Sequence, residues 1–166
     1  PIDGSAPPVK LNPALVSAGD VLSYGFSPDG SRVVYTGDQD MDGVDELYSV
    51  PSDGSALAVT LNGPLVANCD VTGPGSFPAF EFTSDGSQVV YRADQNVDNR
   101  FELYSVPSTG GAPPVKVSTS TTSTSFFFLR PGASSLLYSV PPSGPFSSGE
   151  LFLAPLDASS APAWSR

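Results

Sequence analysis

The chain repeats one sequence pattern three times, and this repeat limits the possible folds more than any other feature. Val33-Val34-Tyr35 followed by Glu46–Pro51 returns as Val89-Val90-Tyr91 followed by Glu102–Pro107. A more divergent third copy joins Leu136-Leu137-Tyr138 to Glu150–Pro155. The matching prolines lie at positions 1, 51, 107 and 155, so the spacings are 50, 56 and 48 residues. Periods of this length indicate stacked supersecondary units, not independent domains.

Composition indicates that these units are built from strands. The 166 residues include 16 Gly and 18 Pro, which would interrupt helices every few residues. The apolar stretches are short, rich in Val, Tyr, Phe and Leu, and bounded by turn-forming residues. The sequence therefore predicts an all-β chain. The strands are expected at 21–26, 32–36, 46–50 and 57–61, then 79–82, 88–92, 101–106 and 114–117, then 125–129, 135–140, 150–154 and weakly near Trp164.

Four antiparallel strands per repeat predict β-propeller-type blades. Runs such as Val33-Val34-Tyr35 are apolar on both strand faces, as expected for a sheet covered on both sides. Residues 8–11 match the fourth strand of a repeat whose other strands are missing. The expected organisation is an orphan outer strand at 1–12 followed by blades at 13–62, 63–118 and 119–166. A two-sheet sandwich is the competing architecture, although it would not require a repeating sequence.

Two segments resemble a known repeat family. Phe26-Ser27-Pro28-Asp29-Gly30-Ser31-Arg32-Val33-Val34-Tyr35 is similar to the WD40-like PD40 repeat of TolB-type β-propellers, as is Phe82-Thr83-Ser84-Asp85-Gly86-Ser87-Gln88-Val89-Val90-Tyr91. The resemblance is closest to bacterial exported repeat proteins. It implies a propeller fold and an extracellular or periplasmic location, but no single function, because propellers host binding, scaffolding and catalysis.

An acidic loop in the first repeat is the sharpest chemical motif. Carboxylates at alternate positions converge when a loop curls, a glycine permits the turn, and a carbonyl adds an oxygen, so the pattern favours Ca²⁺. The loop departs from an EF-hand and looks more like the calcium loops of integrin-type propeller repeats. The predicted ligands are Asp38, Asp40, Asp42, the Val44 carbonyl and Glu46.

The second repeat keeps this oxygen pattern, and Asn99 replaces the glycine. We expect weaker Ca²⁺ binding there. The third repeat has no carboxylate between Pro141 and Gly149, which predicts that its site is lost. An alternative interpretation is that Asp-rich turns only solvate the hairpins. The predicted ligands in the second repeat are Asp94, Asn96, Asp98, the Arg100 carbonyl and Glu102.

Several function classes are disfavoured. The absence of histidine removes Ser-His-Asp and Cys-His arrangements, and no catalytic residues are predicted. A net charge of −10 opposes binding to nucleic acid and anionic membranes, and no apolar stretch is long enough to span a membrane. The single cysteine, Cys69, is expected to be a small packing residue, with a functional thiol as the alternative. The recurring tyrosines are expected to pack between blades, with carbohydrate stacking as the alternative.

Three blades plus an orphan strand are fewer than a closed propeller needs, which predicts a partner. The partner would be another copy, in a homo-oligomer or a head-to-tail fibre, or the remaining blades of a longer chain. The hydroxyl-rich stretch 118–125 could carry O-linked sugars or be a plain linker. The leading hypothesis is a non-enzymatic, calcium-stabilised, exported structural or self-assembly module. The alternative is a ligand-binding or accessory propeller domain of a larger exported peptidase or polysaccharide-processing enzyme.

Overall fold

The computed structural model describes residues 3–75, 77–119, 122–132, 134–142, 149–157 and the backbone of 163–164. These residues form three four-stranded antiparallel sheets and contain no helix. The all-β prediction is confirmed. The predictions that fall on residues 1–2, 120–121, 143–148, 158–162 and 165–166 lie outside the described residues, including part of the third inter-strand loop and part of the predicted O-glycan stretch.

Each sheet is a simple meander in which every strand pairs with the next one along the chain. Sheet 1 contains β1 (Val21–Phe26), β2 (Arg32–Gly37), β3 (Glu46–Pro51) and β4 (Val59–Thr60). Sheet 2 contains β5 (Phe80–Phe82), β6 (Gln88–Ala93), β7 (Glu102–Pro107) and β8 (Val115–Lys116). Sheet 3 contains β9 (Phe127–Leu129), β10 (Ser135–Val140), β11 (Glu150–Pro155) and β12 (Ala163–Trp164).

The hairpin turns explain why the first two strands of a sheet form where they do. In sheet 1, Asp29 Oδ1 accepts hydrogen bonds from the Ser27 hydroxyl at 2.6 Å and from the Ser31 amide at 3.1 Å. Gly30 follows with a positive φ of 71°, which glycine adopts without strain. Asp85 and Gly86 repeat this turn in sheet 2. The turn places β1 and β2 in register, so Tyr24 pairs with Tyr35.

The sheets pack face to face, and successive residues of one strand face different neighbours. Val34 and Leu47 of sheet 1 share a buried cluster with Val89 and Tyr91 of sheet 2. The residue next to Val89, Val90, instead belongs to the cluster between sheets 2 and 3. This two-sided burial follows from the period-2 alternation of strand side chains. It explains why the repeated motifs are apolar on both faces.

The recurring tyrosines form one stacked pair in each of the first two sheets. Tyr35 lies on Tyr48 with ring centroids 5.2 Å apart, and Tyr91 lies on Tyr104 at 5.3 Å. In sheet 3, Phe152 replaces the second tyrosine and stacks on Tyr138. The rings are buried, which agrees with a packing role.

The outer strands are shorter than the sequence predicts. The expected strand at 57–61 pairs only at Val59 and Thr60, and the expected strand at 114–117 pairs only at Val115 and Lys116. The first strand of sheet 3 is also shorter, beginning at Phe127 instead of residue 125.

The predicted orphan strand at 8–11 pairs with no described strand, so its assignment to a preceding blade stays a prediction. Its position nevertheless follows the repeat. Val9 and Leu11 lie against Gly54 beside sheet 1, as Val59 and Leu61 lie against Gly110 beside sheet 2. Leu11 also packs against the buried face of sheet 1. The segment therefore occupies the position of an outer strand but does not form the backbone hydrogen bonds of a β-ladder with a described strand.

Candidate functional site

The two acidic loops each join the second strand of a sheet to the third. In the first loop, the carboxylate of Asp38 accepts hydrogen bonds from two backbone amides, those of Asp20 and Gly43, the latter at 3.0 Å. The hydrogen bond from the Asp20 amide, followed by the one from the Gly43 amide, lowers the pKa of Asp38 below its usual value. Asp38 thus ties the loop to the segment that enters β1.

Asp94 makes the same connections in the second loop. Its carboxylate accepts the amide of Asp70 at 2.7 Å and the amide of Asn99 at 2.9 Å. Asn99 has a positive φ of 60°, at the position where the first loop has Gly43 with φ of 73°. Each carboxylate uses two of its roughly four acceptor positions in this way, so further oxygen lone pairs remain.

Asp40 and Glu46 meet at one tyrosine in the first loop. The Tyr48 hydroxyl lies 3.0 Å from Asp40 Oδ2 and 2.9 Å from Glu46 Oε2. A phenol has one proton to donate, so it satisfies one of these carboxylates at a time. Burial of Tyr48, followed by its hydrogen bond to Glu46, raises the pKa of this phenol. Asn62 Nδ2 donates to Glu46 Oε1 at 3.3 Å, and the described residues show no ion pair to Asp40 or Glu46.

In the second loop, two basic side chains lie beside the glutamate. Asn96, in place of Asp40, donates to the Tyr104 hydroxyl at 2.8 Å, and that hydroxyl donates to Glu102 at 2.9 Å. Lys116 forms an ion pair with Glu102, and Arg100 Nε lies 3.3 Å from the same carboxylate. Burial opposes ionisation of Glu102, but its bonds to Lys116 and Tyr104 outweigh burial and lower its pKa.

The two loops therefore differ in charge, although the same backbone amides bond to their first aspartate. Lys116 and Arg100 stand where the first repeat has Thr60 and Val44, as the strand register and repeat spacing show. Among the described residues, no three acidic or cysteine side chains converge as a metal site requires. Asp42 and Asp98 are exposed at the loop tips. Calcium binding at either loop stays a prediction.

Sequence reasoning missed the residue that joins the two loops. Asp70 Oδ1 accepts the amide of Asp45 at 2.9 Å, and the amide of Asp70 donates to Asp94. Burial, then the charges of Asp70 and Asp38, raise the pKa of Asp45 to about 6. The sequence does contain a signal for Asp70. An Asp-Val pair occurs near the start of the first two repeats, at positions 20–21 and 70–71.

A shallow groove of about 560 Å³ lies between sheets 2 and 3. Its lining includes the hydroxyls of Thr83, Ser87 and Ser105, together with Asp85 and Gln88. Asp85 is engaged by Thr83 and Ser87 within its own turn.

Comparison with solved structures finds a similar fold in a larger protein. The chain matches the AtxE2 isopeptidase S527A variant with astexin3-dC4 bound, with a TM-score of 0.64 and 14% identity over 97% of this chain and 32% of that one. The chain thus spans about a third of that structure, and the likeness concerns the fold alone. A candidate TolB protein from Agrobacterium tumefaciens matches over 82% of this chain and 62% of that one, with 14% identity and a TM-score of 0.42, too low to support an argument.

No family model and no curated protein matches the chain. Within the described residues, no helix that could span a membrane is found.

Proposed function

We propose that the three sheets are β-propeller-type blades and that the chain is a non-enzymatic, exported structural module that works by self-association. The observation that carries this proposal is the regular stacking of sheets, each of which buries apolar residues against the next. A stack of this kind has two end faces that no internal sheet covers. The lack of histidine in the sequence excludes Ser-His-Asp and Cys-His arrangements.

Calcium is the cation that we propose for the first loop. The proposed ligands are the carboxylates of Asp38, Asp40, Asp42 and Glu46 together with the Val44 carbonyl, which the loop would have to bring together around the ion. The comparison of the two loops supports this choice, because the second loop carries Lys116 and Arg100 beside its glutamate and the first has no equivalent cation. We propose weaker binding at the second loop, where calcium would have to compete with these side chains.

Thermal unfolding tests the calcium proposal. Adding millimolar Ca²⁺ to the EDTA-treated chain should raise Tm, since a ligand that binds only the folded state stabilises it. Glu46→Gln should remove most of this increase. Asp98→Asn, a change at the exposed tip of the second loop, should remove little of it. Equal Tm values with Ca²⁺ and EDTA would rule out calcium stabilisation.

Sedimentation velocity tests self-association. The chain should form assemblies larger than a monomer at micromolar concentration, and these should loosen when EDTA removes Ca²⁺. A monomer at every concentration would refute the self-association part of the proposal, whatever the effect of calcium on Tm.

A second candidate is a propeller segment of a larger exported protein. The observation that favours it is the coverage of the isopeptidase structure, of which this chain matches only 32%. In that case, further blades of the same polypeptide would cover the end faces. A longer polypeptide that contains this chain would then remain monomeric, whereas the first proposal expects it to associate.

A further inference from the structure

The second repeat contains an insertion just before its inner strand. Equivalent residue pairs bracket this segment in the first two sheets. The pairs are Val21 with Gly37 and Tyr24 with Tyr35 in sheet 1, and Val71 with Ala93 and Phe80 with Tyr91 in sheet 2. Two residues lie between the pairs along the chain in sheet 1, whereas eight do in sheet 2. The six extra residues account for the period of 56 residues, against 50 before it. The insertion therefore lies within residues 72–79, which include Pro74, Phe77 and Pro78.

The insertion forms one wall of a pocket between sheets 2 and 3. The pocket has a volume of about 200 Å³ and is lined by five phenylalanines, two prolines and Glu81. The ring of Phe77 meets that of Phe126 edge to face, with centroids 4.7 Å apart. Phe126 lies just before β9, and its carbonyl accepts the Ser139 amide at 2.9 Å. Both walls of the pocket thus belong to sheets that the chain contains.

The backbone of the insertion holds the Phe77 ring in place. The amide of Phe77 donates to the Pro74 carbonyl at 3.2 Å, which closes a turn. The carbonyl of Phe77 lies so close to Gly73 that a Cβ at this glycine would collide with it. Phe77 is nevertheless 51% exposed. The insertion therefore positions this ring beside Phe126 without burying it.

Glu81 is the one charged side chain among the described residues that line the pocket. Its Oε2 accepts the Leu129 amide at 3.1 Å, and the described residues form no ion pair with it. The equivalent positions in sheets 1 and 3 are Gly25 and Phe128, as the strand register shows. The carboxylate and the insertion therefore occur together in the second repeat. We call this site the Glu81 pocket.

Aromatic rings beside a carboxylate attract an organic cation. The negative face of a ring attracts a cation within about 6 Å of its centroid, and Glu81 adds a full negative charge. Phenylalanine and proline side chains accept no hydrogen bonds, so a primary ammonium would leave most of its three N–H donors unpaired in the pocket. A quaternary ammonium has no such donors. The net charge of −10 also favours a cationic ligand.

We infer that the Glu81 pocket binds a quaternary ammonium group of the choline type. At about 30 Å³ for each water-sized atom, the pocket holds about seven non-hydrogen atoms, which suits such a head group. A drug-sized ligand would need a larger site. The inference goes beyond the proposed function, and it depends on neither calcium nor self-association.

Proton NMR titration of choline chloride with the full 166-residue chain tests the inference. Methyl protons that lie over phenylalanine rings shift upfield, and the concentration dependence of this shift gives the dissociation constant. The uncharged isostere of choline, in which carbon replaces nitrogen, is the ligand control at constant ionic strength. Phosphorylcholine, titrated in the same way, distinguishes a lipid-type head group from a free ammonium compound.

Two variants change the pocket with little change in shape. Glu81→Gln removes the charge but keeps an oxygen for the Leu129 amide. Phe126→Leu removes an aromatic ring but keeps an apolar side chain. Glu150→Gln and Phe26→Leu make the same changes at exposed positions outside the pocket and serve as matched controls. Far-UV circular dichroism checks that each variant keeps its strands.

We expect choline to bind in the millimolar range with an upfield shift of its methyl protons. Each pocket variant should weaken binding by about fivefold or more, and each control variant should change it less than twofold. The uncharged isostere should bind about fivefold more weakly than choline, or less tightly still. Binding of choline, of phosphorylcholine or of both supports the inference and identifies the source of the ammonium group.

Three results would overturn the inference. The first is the absence of an upfield shift with either ammonium compound. The second is equal binding of choline and its uncharged isostere, which would indicate an apolar pocket without cation recognition. The third is binding that Glu81→Gln and Phe126→Leu leave unchanged. Each result leaves the calcium and sedimentation experiments, and with them the proposed function, unaffected.

Discussion

At the scale of single residues, Asp38 and Asp94 are structural anchors as well as predicted ligands. Each carboxylate receives two backbone amides, one from its own loop and one from the segment that enters the sheet. Charge-assisted hydrogen bonds to backbone amides are worth more than neutral ones. These residues therefore have a reason to be acidic that does not depend on a metal ion.

We predict that Asp94→Ala lowers the free energy of unfolding by about 3 kcal/mol in EDTA, because the amides of Asp70 and Asn99 lose a charged acceptor. Asp98→Ala, at the exposed tip of the same loop, should change it by less than about 0.5 kcal/mol. Urea unfolding measures both. Equal effects would mean that Asp94 anchors nothing.

At the scale of strands and turns, acid should weaken the hairpin that joins β1 and β2. Hydrogen bonds from the Ser27 hydroxyl, then from the Ser31 amide and hydroxyl, lower the pKa of Asp29 from 3.8 to about 2. A carboxyl with a lowered folded-state pKa stabilises the fold above its unfolded-state pKa, and this contribution is lost as pH falls from about 4 towards 2. Asp29→Asn should thus lower the urea midpoint at pH 7 and leave it nearly unchanged at pH 2. The double change with Asp85→Asn should have the larger effect at pH 7, and a difference that persists at pH 2 would exclude this explanation.

Replacing equivalent leucines of sheets 2 and 3 with alanine should lower the free energy of unfolding by different amounts, because only the leucine of sheet 2 is buried against a neighbouring sheet. Leu103→Ala empties a fully buried site between sheets 2 and 3 and should cost about 3 kcal/mol of unfolding free energy. Leu151→Ala, at the same repeat position in sheet 3, should cost about 1 kcal/mol or less in dilute monomer, since the side chain is 49% exposed. Chemical unfolding at nanomolar concentration makes the comparison. Similar costs would contradict the stacking order of the sheets.

At the scale of the whole molecule, the charge of −10 sets how copies should associate. Like-charged copies repel, and salt screens this repulsion beyond about 10 Å at 0.1 M ionic strength. An apolar contact between end faces should therefore tighten when NaCl rises from 50 to 300 mM at constant Ca²⁺. Sedimentation equilibrium measures the dissociation constant. Weaker association in salt would indicate ion pairs instead of apolar side chains at the contact.

The local parts of the fold were predictable because they depend on neighbours in the sequence. The inner strands of the first two sheets were predicted to within one or two residues, since apolar runs end at turns such as Ser27 to Gly30. The pairing of the orphan segment at 8–11 stays untested, because a strand needs a paired neighbour and the described residues offer none. Burial of the repeated tyrosines was also expected from their recurrence in register.

The sequence by itself determined that this protein is a threefold repeat of short strands, with acidic loops at equivalent places. Only the tertiary structure decided how those loops differ, because β8 brings Lys116 next to Glu102, 14 residues earlier in the chain. It also decided that Leu103 is buried and Leu151 exposed. Local composition sets strands and turns, whereas burial and charge pairing depend on which distant segments become neighbours.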